Sequence, residues 1–218
     1  MQVKSKERVA KHGEVFTNPR EVNAMLDLVQ SQIEDMDKTF LEPACGNGNF
    51  LAEILRRRMV LLNQKYRNSP FEYEMKTVQA VCSLYGIELL PDNAAECRER
   101  LVHTVTDLYL PKHKSVGHFP KIEKVIRHVL QRNIVCGDAL NYCDEAGEPI
   151  VLTQWQFVAN GRGKVKPILF ELETAVETTG GGGTQGYLFG DHGEPARIVP
   201  HNHELPMTHY LELADEPV

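Results

Sequence analysis

Phe40-Leu41-Glu42-Pro43-Ala44-Cys45-Gly46-Asn47-Gly48-Asn49-Phe50-Leu51 is the stretch that decides the reading of this chain. Thr39 to Ala44 form a short apolar strand that stops at a carboxylate and a proline. Two glycines one residue apart then make a tight turn. Apolar residues resume at helical spacing with Leu51, Ile54, Leu55, Val60 and Leu61, which predicts a helix from about 50 to 66. Gly46 and Gly48 allow the backbone to bend and to approach a ligand with no Cβ in the way. In an open parallel sheet, ligands bind beyond the carboxyl ends of the strands, where this turn falls. The dinucleotide fingerprint needs a third glycine, and the phosphate-binding loop needs Gly-Lys-Ser/Thr. Neither is present, which argues against NAD, FAD and nucleoside triphosphates.

Upstream, Glu14-Val15-Phe16-Thr17-Asn18-Pro19 leads into a helix that carries Val22, Met25, Leu26 and Val29. Thr17 or Asn18 suits its N-cap and Pro19 its first position. Downstream, Asn68-Ser69-Pro70 breaks the chain. A helix around 72–83 then leads into a second strand, Leu84 to Leu89. Pro91-Asp92 opens a helix over roughly 92–109, residues 112–120 read as a loop, and 121–131 as a helix. The third strand is Asn133 to Gly137. Residues 149–158 are a candidate fourth strand. Gly161-Arg162-Gly163-Lys164 reads as a turn, and 167–172 is a candidate for one more strand. Strands alternating with helices predict an α/β fold whose mostly parallel sheet has helices on both faces. Gly180–Gly183 reads as a flexible linker. The expected organisation is one domain over 1–176, followed by a linker and an acidic irregular tail over 177–218 that docks at most short extended pieces.

Four segments, taken together, resemble the adenine-specific DNA methyltransferases of restriction–modification systems. The Glu42-Pro43-Ala44-Cys45-Gly46-Asn47-Gly48-Asn49-Phe50 string is similar to that family's motif I, which cradles the methionine part of S-adenosylmethionine. Gly13 and Phe16-Thr17 match motif X, with Asn18 inserted before Pro19. Tyr85-Gly86-Ile87-Glu88 looks like motif II, whose carboxylate takes the ribose hydroxyls. Cys136-Gly137-Asp138-Ala139-Leu140 looks like motif III, whose Asp accepts from the adenine amino group. The resemblance covers about residues 12–140. It implies a Rossmann-like class I methyltransferase fold, incomplete after motif III. It also implies S-adenosylmethionine as cofactor, held by Phe16, Thr17, Glu42, Ala44, Gly46, Gly48, Phe50, Glu88, Asp138 and Ala139, and DNA as a partner. Forty residues separate Gly48 from Glu88, against about 20 in a simple unit, so 67–83 is read as an inserted helix.

The resemblance stops at catalysis. A target base must leave the stack before its amino group can be methylated. The family receives that group with Asn/Asp-Pro-Pro-Tyr/Phe, and no such tetrapeptide occurs here. Asn68-Ser69-Pro70-Phe71 resembles it by letter but lies between the first and second strands. The expected region reads Thr153-Gln154-Trp155-Gln156-Phe157. Gln154 with Trp155 is the candidate for a diverged base pocket, against the plainer account of Trp155 as the large anchor of a buried strand. The chain length leaves no room for a target-recognition domain, so a separate recognition or catalytic subunit is an expected partner. The alternative is a catalytically inactive accessory protein that binds the same cofactor.

Composition restricts the remaining possibilities. The net charge is −6 over 218 residues, but it is uneven: 171–218 hold nine acidic residues and one basic, and 1–170 hold 23 basic and 21 acidic. The basic clusters at Lys4–Lys11, Arg56–Arg58 and Lys112–Arg132 are either phosphate contacts or solvated helix faces. Five cysteines at these spacings fit neither a zinc site nor a disulfide scaffold. His192, His201, His203 and His209 read as solvent-exposed tail residues, and no metal is expected. With no apolar run of membrane-spanning length and no secretory signal, a cytoplasmic protein is expected.

Overall fold

The computed structural model describes residues 4–114, 118–174, 187–189 and 195–215. The Gly180–Gly183 linker and His192 lie outside the described residues, as do the side chains of Lys112, His201 and His203. The first strands and helices follow the sequence closely. They are α1 (Lys6–His12), α2 (Pro19–Asp27), α3 (Gln30–Glu34), β1 (Phe40–Glu42), α4 (Asn49–Lys65), α5 (Pro70–Cys82), β2 (Leu84–Glu88), α6 (Pro91–Leu108), α7 (Pro111–Lys114), α8 (Phe119–Asn133) and β3 (Ile134–Cys136). Asn18 caps α2, its side chain accepting from the Arg20 amide at 2.9 Å, and Pro19 takes the first helical position. Part of the segment read as a loop at 112–120 is helical, as α7 and the first turn of α8.

β1, β2 and β3 form a parallel sheet in that order, with Glu42 opposite Gly86 and Glu88 opposite Cys136. Successive side chains alternate between faces, and the two faces are covered differently. Leu84 and Ile134 belong to the main core, with Leu51, Leu55, Met59, Leu101, Val129 and Leu130 from the helices. Tyr85 and Ile87 join a second cluster with Ile150, Leu152 and Leu172, against which Leu41, Val135 and Phe170 pack.

That second cluster is the main departure from expectation. The segment after β3 does not continue the parallel sheet. β4 (Val151–Phe157) and β5 (Lys164–Thr174) form an antiparallel hairpin. It is extended by β7 (Pro195–Glu204), which carries β6 (Tyr187–Phe189), and β8 (Thr208–His209) also pairs with β5. The reason is chain length. A parallel neighbour requires a crossover of a dozen or more residues, and only the short Val158–Gly163 link joins β4 to β5. Positive φ at Asn160, Arg162 and Gly163 makes that link tight. A sheet rather than helices therefore covers the Tyr85/Ile87 face. The expected irregular tail is correspondingly structured over 195–215, where Tyr210 and Leu213 are buried in the main core.

Arg58, on α4, has no solvent exposure. Its guanidinium donates to the carbonyls of Ile33, Asp35 and Lys38 at 2.8–2.9 Å and to Ser83 Oγ. It thus ties α4 to the approach of β1 and the end of α5. Burial pushes its pKa down to about 10, so it remains charged at neutral pH. Arg56 and Arg57 pair with Glu53, and Arg57 also with Asp27. The Arg56–Arg58 cluster is therefore occupied within the chain. Among the described residues, no helix is long and apolar enough to cross a membrane.

Candidate functional site at the parallel strand ends

The turn after β1 is built by local steric demands. Gly46 and Gly48 both have positive φ, +53° and +81°, where a Cβ is strained. Space is equally tight. A Cβ on Gly46 would lie 3.3 Å from the Phe16 ring, and one on Gly48 would lie 2.5 Å from Cys97 Sγ. Gly86, in β2 opposite Glu42, has Cys45 Sγ and Leu51 where its side chain would be. The turn is thus wedged between the segment before α2, α6 and the middle strand. The Cys45 amide continues the β1–β2 ladder by donating to the Ile87 carbonyl at 3.0 Å.

Glu88 organises this turn. One carboxylate oxygen accepts from the Gly46 amide at 2.7 Å, and the other from the Leu90 amide at 3.0 Å. Asn93 Nδ2 approaches the latter oxygen at 3.4 Å and donates to Glu14 at 2.6 Å. Arg8 grips Glu14 through two bonds of 2.7 Å and also reaches Asp92. That Arg8 fork, chiefly, holds the Glu14 carboxyl below its ordinary range, and Asp92 falls to about 2 for the same reason. An amino-terminal helix, the segment before α2 and the Glu88 carboxylate thus form one polar chain. Lys4 joins it through Asp92, Asn93 and Glu96. Lys4 and Arg8, from a cluster considered for phosphate contact, are engaged inside the molecule.

Glu42 lies near Glu88 and is partly buried. Burial first, and the Glu88 charge second, push its carboxyl up to about 8. Its Oε2 is sealed from solvent without a hydrogen-bond partner among the described residues. Such an orphan costs about 1–3 kcal/mol.

The other predicted residues divide into groups. Phe16 covers Gly46, and the Thr17 carbonyl accepts from Asn49 Nδ2 at 3.1 Å. Ala44 is exposed beside the turn. Phe50 turns instead towards the main core, and Ala139 packs on the second cluster. Asp138 follows β3 at the same end of the sheet, but its carboxylate serves its own loop. It accepts from the Leu140 amide at 2.8 Å and from Asn141 Nδ2 at 2.7 Å, and the Asn141 bond chiefly lowers its pKa. Trp155 is buried, its indole N–H donating to Asn133 Oδ1 at 2.9 Å, and Gln154 is exposed on the opposite side of β4. The two do not converge on a pocket.

A cavity of about 580 Å³ lies where the motif X segment meets the turn, lined by Phe16, Thr17, Asn18, Pro19, Asn47, Asn49 and Arg100. A second, of about 410 Å³, continues along α4 and α6 and shares Pro19, Asn49 and Arg100 with the first. Glu42, Glu88 and Asp138 line neither cavity. Asn47, Asn93 and Arg100 were invisible to sequence reasoning, because a polar residue early in a helix or turn has many ordinary roles. Among the described residues, no group of three or more His, Cys, Asp or Glu side chains could hold a metal ion. The chain matches no protein-family model, no curated protein and no solved structure.

Proposed function

We propose that the chain is an S-adenosylmethionine-binding unit of the DNA adenine methyltransferase type, with a Rossmann-like donor half. The observation that carries this reading is the convergence of Phe16, Gly46, Glu42 and Glu88. A tight glycine turn sits under an aromatic ring, between two carboxylates on adjacent parallel strand ends. The cofactor would supply a methyl group on a positively charged sulfur. The chain's own residues would hold it: Glu88 at the ribose and the Gly46–Gly48 backbone at the methionine part, while Asp138 and Ala139, engaged in their own loop and in the second cluster, would reach a purine only by leaving those contacts. Glu88 has lone pairs beyond those used on Gly46 and Leu90, so it can accept from ribose hydroxyls without releasing the turn.

Calorimetry with S-adenosylmethionine tests the premise. Binding is expected, and Glu88→Ala is expected to weaken it. Binding to the wild type with unchanged affinity in Glu88→Ala would remove the ribose assignment.

A second reading, donor binding without catalysis by this chain alone, is favoured by the burial of Trp155 and the outward position of Gln154. Transfer of labelled methyl to DNA, with and without products of neighbouring genes, separates the two readings. Transfer by the purified chain would exclude the second. Transfer only with an added partner would place the base pocket, and with it the DNA contact, on that partner. A cytoplasmic location is part of the proposal, as both cofactor and DNA are found there.

A further inference from the structure

The strand-end site is nearly closed. Glu88 is 8% exposed, and neither cavity is lined by Glu42 or Glu88. Part of what closes it lies ahead of α2. Glu14 accepts from Asn93 Nδ2 at 2.6 Å, and the same amide group approaches Glu88 at 3.4 Å, so Glu14 stands one side chain away from the Glu88 carboxylate. Arg8 of α1 is forked onto Glu14, and Lys4 donates to Asn93 Oδ1 at 2.6 Å. A ligand that meets Glu88 from this side must displace these groups.

Residues 4–14 are attached unlike the rest of the molecule. Among the described residues, none before Val22 belongs to either apolar core cluster. α1 has seven residues, too few for a helix that is stable alone. Its hold on the body is polar: Lys4 meets Asp92 at 3.2 Å and Glu96 at 2.7 Å, and Arg8 meets Asp92 at 2.8 Å. All three ion pairs end on the first two turns of α6. The four side chains keep 27–52% of their exposure, so salt reaches and screens them. The Arg8–Glu14 pair is internal to the segment, which can therefore lift without stranding the buried Glu14 carboxylate. Past Glu14 the chain is tied again, by Phe16 over Gly46 and by Asn49 on the Thr17 carbonyl, which leaves exposed Val15 as the pivot.

Resting on the donor reading above, we propose that residues 4–14 are an ionic latch on the strand-end site. Lys4 and Arg8 hold it shut against Asp92 and Glu96, and the ligand's nucleoside end reaches Glu88 when it lifts. Apparent affinity is then reduced to the fraction of molecules in which the latch is open. Salt has two opposed effects on such a site. It screens the attraction between a cationic ligand and a chain of net charge −6, which weakens binding. It also opens the latch, which strengthens binding. A gain of affinity with salt is therefore the signature of the latch.

The experiment compares the full chain in about 0.05 M and about 1 M sodium chloride. Amide hydrogen exchange reads the latch, and calorimetry with S-adenosylmethionine reads the site. At the higher salt the amides of residues 6–12 should exchange about tenfold faster, with those of α4 unchanged. Affinity for S-adenosylmethionine should rise about three- to tenfold. Asp92→Asn removes the pairs that this residue makes with Lys4 and Arg8 and should produce both changes at low salt. Asp92→Glu keeps the charge and should behave as the wild type. Exchange over 6–12 that responds neither to salt nor to Asp92→Asn would overturn the latch. Faster exchange with unchanged or weaker affinity would show that the segment does not gate the site, and would leave the donor reading standing. Faster exchange with neither heat nor thermal stabilisation from the probe, in the wild type and in Asp92→Asn alike, would remove the donor reading and the gate together.

Discussion

The parallel sheet of β1, β2 and β3 and the antiparallel sheet built on β4 and β5 treat their buried polar groups in opposite ways. In the antiparallel region two such groups meet partners: the Trp155 indole finds Asn133, and the Thr153 carbonyl accepts from the Tyr85 hydroxyl at 3.0 Å. At the parallel strand ends, Glu42 retains an unpartnered oxygen, and Glu88 is turned onto the amides of a strained turn. Buried polar groups are normally paired; Glu42 is an exception at a strand end, as the Tyr109 hydroxyl is in the helical layer. The later sheet covers the face of the parallel sheet that the helices leave open.

Four measurements would break or sharpen that contrast. The largest effect is expected from Arg58→Met, which strands three carbonyls and Ser83 in the core of the parallel half. Equilibrium denaturation should show a loss of about 3–5 kcal/mol, and a loss below 1 kcal/mol would mean that the clamp is dispensable.

Next comes pH. The folded Glu42 carboxyl sits at about 8, against an ordinary 4.5. A raised acid binds a proton in the folded state that the unfolded chain gives up. Its stability contribution is therefore whole below about pH 4.5 and lost as pH rises to about 8. Stability relative to Glu42→Gln should decline by a few kcal/mol across that window and level off above it. A flat difference would show that Glu42 ionises normally.

Gly48→Ala should cost about 2–3 kcal/mol, since it combines a positive φ with a collision against Cys97 Sγ. Adding Cys97→Ala should restore the steric part only, and strict additivity in the double mutant would exclude the contact.

The smallest change is expected in the antiparallel half. Trp155→Phe leaves Asn133 Oδ1 without its donor and should cost about 1–2 kcal/mol, with affinity for S-adenosylmethionine unchanged. A fall in affinity would return Trp155 to the list of site residues.

Much of the parallel half is legible in the sequence because its signals are local. Apolar spacing marked α4, α6 and β2, and Asn18-Pro19 marked the start of α2 within a residue. The glycine turn was legible for the same reason, as positive φ is a demand that a single residue must meet. The antiparallel pairing was not read, although the Gly161–Lys164 turn was noticed. An apolar run looks alike in parallel and antiparallel sheets, and only the length of the connection distinguishes them. The basic clusters left two readings open for a related reason: charge is visible in sequence, but its counter-charge is not. Lys4 meets Asp92 and Glu96, and Arg127 meets Glu99, across the folded surface.

By itself, the sequence determined where the three parallel strands and most of the longer helices run through residue 136, where the chain must turn on glycine, and which carboxylates end adjacent strands. Tertiary structure alone decided that Glu42 and Glu88 share a poorly hydrated corner with one side chain paired and the other not. It also decided that Asn93 links Glu14 to Glu88, and that Trp155 points into the core. Backbone geometry is set by interactions a few residues apart, and these the sequence writes out in order. The partnering of buried polar groups depends on which distant segments close the same space, and this becomes fixed only when the chain packs.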